Sequence, residues 1–150
     1  MIDRYIKANR DKYAGMAQLI TPDLTNWQQV WSRAAFAILS ANAKFNDAVR
    51  ALTYANRHKG KCEPWELSKL SMTPDKAHWL NQLPLGKTLL LSHTHQKGES
   101  DHDLRLRLRR DVLGMGLAKA SFYVALLNPL TADVACIDTH MQQVYLGHTG

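Results

Sequence analysis

The chain has 150 residues, which is the length of one domain with one sizeable hydrophobic core. Its residues are 45 % apolar and 21 % charged, as in a globular protein, and the formal net charge is +6. This surplus of positive charge indicates a polyanionic partner, most simply nucleic acid, although a merely basic protein has the same balance.

Cysteine content and hydropathy exclude several classes of protein. The two cysteines, Cys62 and Cys136, are too few for a disulfide framework or an iron–sulfur cluster, and they favour a reducing compartment. The N-terminus has no apolar signal core, and no apolar run approaches the roughly 20 residues that span a bilayer. We therefore expect an intracellular protein with no membrane partner.

Helical periodicity dominates the first third of the chain. Residues 2–19 carry one broad apolar stripe, which predicts an amphipathic helix. Thr25 and Gln28 have the spacing of a capping box, with Thr25 as the N-cap. The helix that they open should end near residues 42–43, and another is predicted from Phe45 to about residue 57.

The middle of the chain predicts three short helices separated by turns. Pro64 suits the first turn of a helix that continues to residue 70. Thr73, which is followed by a proline, marks the start of a helix that stops before Pro84. Gly86 opens a further helical stretch that reaches about residue 95.

The segment after residue 100 carries two conflicting signals. Ser100 and Asp103 form a helix-start pattern, whereas residues 104–110 alternate like a half-buried strand. A helix is preferred because no partner strand is visible and the apolar residues Leu104, Leu108 and Val112 also recur at every fourth position. The whole chain is thus predicted to be a single all-α domain, residues 1–150, of eight or more short helices.

Residues 113–116, which we call the hairpin, have the order hydrophobic, Gly, hydrophobic, Gly, and the small Ala120 follows four residues later. The two glycines predict a turn that no Cβ tolerates, with Met115 pointing into the core. Such a turn offers backbone N–H groups to a phosphate. An ordinary helix–helix turn is the alternative, but several basic residues lie nearby and favour DNA binding. These are Arg105, Arg107, Arg109, Arg110 and Lys119.

Two segments resemble the helix–hairpin–helix DNA glycosylase superfamily, which includes endonuclease III and 8-oxoguanine glycosylase. The first runs from Leu113 to Met141 and ends in Ile137-Asp138-Thr139-His140, which resembles the family's hydrophobic-Asp-x-His motif. The second, residues 36–44, resembles the loop that supplies a polar wedge into the duplex, and Asn42 falls at the wedge position.

The resemblance implies a helical fold of two small lobes with a DNA cleft between them, in which residues 1–20 pack with the C-terminal segment. It implies a monomer that binds duplex DNA, flips a damaged or modified base and cleaves its N-glycosidic bond. The hairpin would grip the backbone, often with a monovalent cation. The DNA-contacting residues that it implies are Gly114, Met115, Gly116, Leu117, Ala118, Asn42, Arg109, Arg110 and His140.

Asp138 and Lys119 are the catalytic candidates. A carboxylate at Asp138 would stabilise the positive charge that develops on the sugar, and an N-cap role is compatible with this. In bifunctional relatives a lysine nucleophile lies two residues after the second hairpin glycine. Here that position is Ala118 and the lysine follows it, so Lys119 is interpreted either as a nucleophile or as a phosphate contact.

Several features keep other interpretations open. Asn also favours helix C-caps, so Asn42 fits that role as well as the wedge. The four tryptophans are more typical of a core than of a base-stacking platform, and His93, His95 and His102 lack standard metal-ligand spacing. The alternatives to a glycosylase are a non-catalytic helix–hairpin–helix DNA-binding module and an unrelated helical protein.

Overall fold

The computed structural model describes residues 21–67, 70 and 73–134, together with Arg4. These residues contain helices and turns and no β-strand, which confirms the all-α prediction for this part of the chain. The six α-helices are α1 (Trp27–Leu39), α2 (Phe45–Arg57), α3 (Thr73–Gln82), α4 (Gly86–His93), α5 (Asp101–Asp111) and α6 (Leu117–Leu127), and Pro64–Leu67 forms a 3₁₀ helix. None of these described helices has the length and apolar character needed to cross a membrane.

Helix α1 is the central element of the fold. It packs against α2, α3, α4 and α6, and seven of its residues are buried on several sides. Three of them are alanines, so neighbouring helices can approach it closely. A helix that is apolar over most of its circumference is stable only when other helices surround it. Trp31 belongs to this core as predicted, whereas Trp65 is 70 % exposed and does not.

The start of α1 differs from the prediction by one residue. Asn26 is the N-cap, and its side-chain oxygen accepts from the backbone N–H groups of Gln28 at 3.1 Å and Gln29 at 3.4 Å. Thr25 instead donates through its hydroxyl and its backbone N–H to the Asp23 carboxylate, at 2.6 and 2.9 Å. The predicted capping box at Thr25 is therefore wrong, because Thr25 is hydrogen-bonded to Asp23 and the adjacent Asn26 caps the helix.

The other helix boundaries agree only in part with those predicted from the sequence. Ser100 caps α5 by accepting from the Asp103 N–H at 3.1 Å, as predicted. The alternating segment 104–110 lies within α5, with Leu104 and Leu108 buried. Helix α1 ends at Leu39 and α4 at His93, and each ends earlier than predicted.

Arg107 on α5 connects three elements. Its guanidinium pairs with both oxygens of Glu99 at 2.8 Å and donates to the carbonyl oxygens of Ser92 at 2.5 Å and Thr94 at 2.9 Å. Side chains with this many short, mostly buried hydrogen bonds hold a fold together. Arg107 therefore stabilises the fold and is not one of the arginines expected to contact DNA, which are Arg109 and Arg110.

Candidate DNA-binding and catalytic site

The hairpin joins α5 to α6 and contains two glycines in different conformations. Gly114 has φ +79°, in the left-handed region, and a Cβ placed on it would lie 2.8 Å or less from three ring atoms of Trp79. Gly116 has φ −69° and ψ 179°, an extended conformation open to any residue, and a Cβ there meets no described atom within 4 Å. The expectation that neither glycine tolerates a Cβ is therefore correct for Gly114 and wrong for Gly116.

The rest of the hairpin supports its predicted geometry. Met115 is 2 % exposed and packs into the core, and its backbone N–H donates to the Val112 carbonyl at 3.2 Å. Ala120 on α6 is fully buried, and α6 packs against α5, which is consistent with a small residue at this position. The hairpin is thus anchored from inside, and its outer side is available to a ligand.

Residues 109–116 line an open groove of about 520 Å³, which we call the hairpin groove. Gly116 is the N-cap of α6 and offers no side-chain acceptor to the N–H groups of the first turn. The positive end of a helix with such donors is suited to a phosphate oxygen. Arg109 and Arg110 line the same groove, where Arg110 forms a largely exposed ion pair with Asp111 at 2.7 Å.

Lys119 folds back onto the hairpin. Its ammonium donates to the Gly114 carbonyl at 3.1 Å and lies 4.4 Å from the centre of the Trp79 ring. Burial against these groups lowers the pKa of Lys119. Trp79 therefore contacts both the hairpin and Lys119. Its ring fills the space beside Gly114, and the Lys119 ammonium lies over the face of the same ring.

Residues 40–43, which we call the wedge loop, connect α1 to α2. Ser40 is the C-cap of α1, so the interpretation of Asn42 as the helix C-cap is wrong. Asn42 lies two residues further on with φ 52°, a left-handed conformation that asparagine tolerates better than most residues. The loop is closed by a hydrogen bond from the Ala43 N–H to the Ser40 carbonyl at 3.3 Å.

Two features near the wedge loop are not singled out by the sequence pattern. The ring of Phe36 lies 6.2 Å from Phe45, which is 71 % exposed, and 6.0 Å from Phe122 on α6. These three rings connect the two helices on either side of the wedge loop, α1 and α2, to the helix that follows the hairpin. The second feature is Lys76 on α3, whose buried ammonium binds carbonyls at the end of α1. Its position four residues before Leu80 and seven before Leu83, both buried, places it on an apolar helix face and is the signal that identifies it.

The C-terminal candidates Asp138 and His140 lie outside the described residues, as do Cys136 and the helix predicted over residues 2–19. Close to the end of the described residues, Asp133 is held in place by a hydrogen bond to α5. The backbone N–H of Asp133 donates to the Asp101 carboxylate at 2.7 Å, and the other oxygen of Asp101 pairs with His95 at 2.7 Å. The segment that leads to Asp138 is thus attached to the start of α5 through Asp133, five residues before Asp138.

Comparisons with known proteins place this geometry in a wider context. No protein family and no curated protein matches the sequence. Among solved structures, the 8-oxoguanine DNA glycosylase of Thermotoga maritima is similar, with a TM-score of 0.69 and 18 % sequence identity. The similarity covers 97 % of this chain and 73 % of that one. The protein therefore shares its all-α fold with this solved structure.

Proposed function

We propose that this protein is a DNA glycosylase of base excision repair, which acts as a monomer on duplex DNA with a damaged or modified base. The observation that carries the proposal is the intact hairpin within a glycosylase fold, with Gly114 packed on Trp79 and Met115 buried beneath it. The proposal rests on the site as well as on the fold, since one fold serves many activities.

DNA binding is supported by the hairpin groove. Its helix N-terminus and the side chains of Arg109 and Arg110 supply positive charge to a concave surface beside the hairpin backbone, where Asp111 offsets the charge of Arg110. Contacts of this kind bind phosphates without reading the sequence. Together with the net charge of +6, they lead us to expect duplex affinity that falls steeply with salt.

The chemistry that we propose uses Asp138 and water. As the bond between C1′ and the base nitrogen breaks, its electron pair leaves with the base and positive charge develops on the sugar. The carboxylate of Asp138 stabilises this charge and accepts a proton from the water that attacks C1′. The departing base takes up one proton from water, and Asp138 releases to water the proton that it accepted. The products are a free base and an abasic site, with the DNA strand intact.

We assign Lys119 to the hairpin rather than to nucleophilic attack. A Schiff-base lysine must reach C1′, whereas this ammonium is occupied by the Gly114 carbonyl and the Trp79 ring. Its lowered pKa follows from burial against these groups. Its contact with the Gly114 carbonyl already places a positive charge at the hairpin, so the residues present do not favour a monovalent cation at this carbonyl.

This assignment predicts the outcome of borohydride trapping. The wild-type protein, incubated with a duplex that contains an abasic site and then reduced, is expected to form no covalent adduct and to leave the strand uncut. Lys119→Gln is expected to lower the melting temperature, because the hairpin loses its contact to the Gly114 carbonyl. An adduct in the wild type that disappears in Lys119→Gln would show that the lysine is the nucleophile.

The test of the proposed function is a base-release screen with duplexes that carry oxidised, deaminated, alkylated or hypermodified bases. Release is read as alkali-labile strand breaks, with the unmodified duplex as the control. We expect release of at least one class of base. Salt-sensitive duplex binding without release of any base would favour a non-catalytic DNA-binding module, and no binding at low salt would reject both.

A further inference from the structure

Lys76 is a buried charge beneath the wedge loop. It is 1 % exposed, and no other lysine, arginine or carboxylate among the described residues is buried to this extent. Its ammonium donates to the carbonyl of Leu39 at 3.1 Å and to that of Ala41 at 2.7 Å. No carboxylate in the described part of the chain pairs with it, and the charge that acts on it is the positive charge of Lys119.

Burying the Lys76 ammonium costs free energy that a role in packing alone would not justify. Removing an ammonium from water without a counter-ion is unfavourable, and burial together with the charge of Lys119 lowers the pKa of Lys76 to about 8. An apolar side chain of similar volume fills the same position without this cost. What only the lysine supplies is a donor for two carbonyl oxygens at once.

The two carbonyls lie on either side of the α1 C-cap, Ser40. The Leu39 carbonyl belongs to the last turn of the helix, where the helix dipole favours a positive charge. The Ala41 carbonyl directly precedes Asn42, whose left-handed backbone conformation is less favourable than the helical one. One ammonium therefore ties the rigid end of α1 to the peptide that sets the direction of Asn42.

We propose that Lys76 is the positioning residue of the wedge, holding the wedge loop so that Asn42 enters the duplex without a separate ordering step. The inference rests on the proposed function, since it gives Asn42 the role of a wedge. Pre-ordering a loop removes the entropy cost of fixing it on binding, so the contribution of Lys76 should appear in DNA distortion rather than in general DNA affinity.

The experiment compares Kd values of the full-length protein for two duplexes, one intact and one with a tetrahydrofuran abasic analogue. The ratio of the two values reports how well a wedge occupies the gap, and it requires no base release. We expect Lys76→Met to lower the preference for the abasic duplex by roughly tenfold, with the intact-duplex Kd nearly unchanged. Asn42→Ala should lower the preference similarly. The double variant should show no further loss, because Lys76 is proposed to act only by positioning Asn42.

Lys59→Met is the matched control. Lys59 also donates to a backbone carbonyl, that of Asn56 at 2.6 Å, and lies over the Trp31 ring at 5.1 Å. It is a partly buried lysine that contacts the other end of α1, so its loss should leave the preference for the abasic duplex unchanged. If Lys76→Met does not fold, Lys76→Gln, which keeps an N–H donor, takes its place and should retain part of the preference.

The possible results separate this inference from the proposed function. Wild-type preference in a folded Lys76→Met variant, or additive losses in the double variant, would overturn the inference. A wild-type protein with no preference for the abasic duplex would overturn it too, and base release would still decide whether the protein is a glycosylase. A preference that depends on Lys76, in a protein that releases no base, would support the inference and reject the proposed function.

Discussion

Asp138→Asn is expected to lower the rate of base release by at least about 100-fold while leaving duplex binding intact. The asparagine keeps the size of the side chain and also caps helix N-termini well, so the substitution removes the charge and preserves a structural role at the same position. The measurement is single-turnover base release from the duplex that is most active in the screen, together with the Kd for the tetrahydrofuran duplex.

The control for this variant is Asp133→Asn, five residues earlier in the chain. The described contact of Asp133 is made by its backbone N–H, which donates to Asp101, so loss of its side-chain charge should leave base release unchanged. Undiminished release by Asp138→Asn would remove the carboxylate from the mechanism. Similar losses in both variants would show that negative charge in this segment acts generally and not at one position.

Gly114→Ala is expected to destabilise the protein by about 3 kcal/mol, whereas Gly116→Ala should cost less than about 1 kcal/mol. Two costs act at Gly114, because alanine is strained at φ +79° and its methyl group overlaps the Trp79 ring. Neither applies to Gly116, whose φ is −69° and whose surroundings are open within the described residues. Denaturant unfolding of the two variants provides the comparison.

The two glycine variants should also separate stability from binding. A methyl group on Gly116 lies at the N-terminus of α6 in the hairpin groove, so we expect weaker duplex binding from a protein that remains folded. For Gly114, a smaller side chain at residue 79 tests the source of the strain. The cost of Gly114→Ala should fall in a Trp79→Val background, and an unchanged cost would mean that backbone conformation alone accounts for it.

Local signals in the sequence are sufficient to predict most helices and the hairpin. Ser100 and Asp103 predict the start of α5, and the spacing of Leu104 and Leu108 correctly outweighs the strand-like alternation of the same segment. The order Gly-Met-Gly predicts a turn with a buried centre. These signals succeed because the groups that determine the structure lie within one or two helical turns of each other.

The remaining features depend on contacts between distant residues. Trp79 explains why Gly114 must be a glycine, yet 35 positions separate them and no local pattern connects them. Arg107 resembles its arginine neighbours until its bonds to Ser92 and Thr94 are known. The difference between the two hairpin glycines likewise depends in part on the position of a ring from another helix, in addition to the left-handed φ of Gly114.

The contact between Trp79 and Lys119 has a practical consequence. The emission of an indole depends on charges near its ring, and here an ammonium lies 4.4 Å from the ring centre, beside the groove proposed to receive a phosphate. An anion that draws the ammonium from the ring would change the light that Trp79 emits. Because Trp79 is one of four tryptophans, the part of the emission change that is absent in Trp79→Phe would report occupancy of the hairpin in solution, without a label on either protein or DNA.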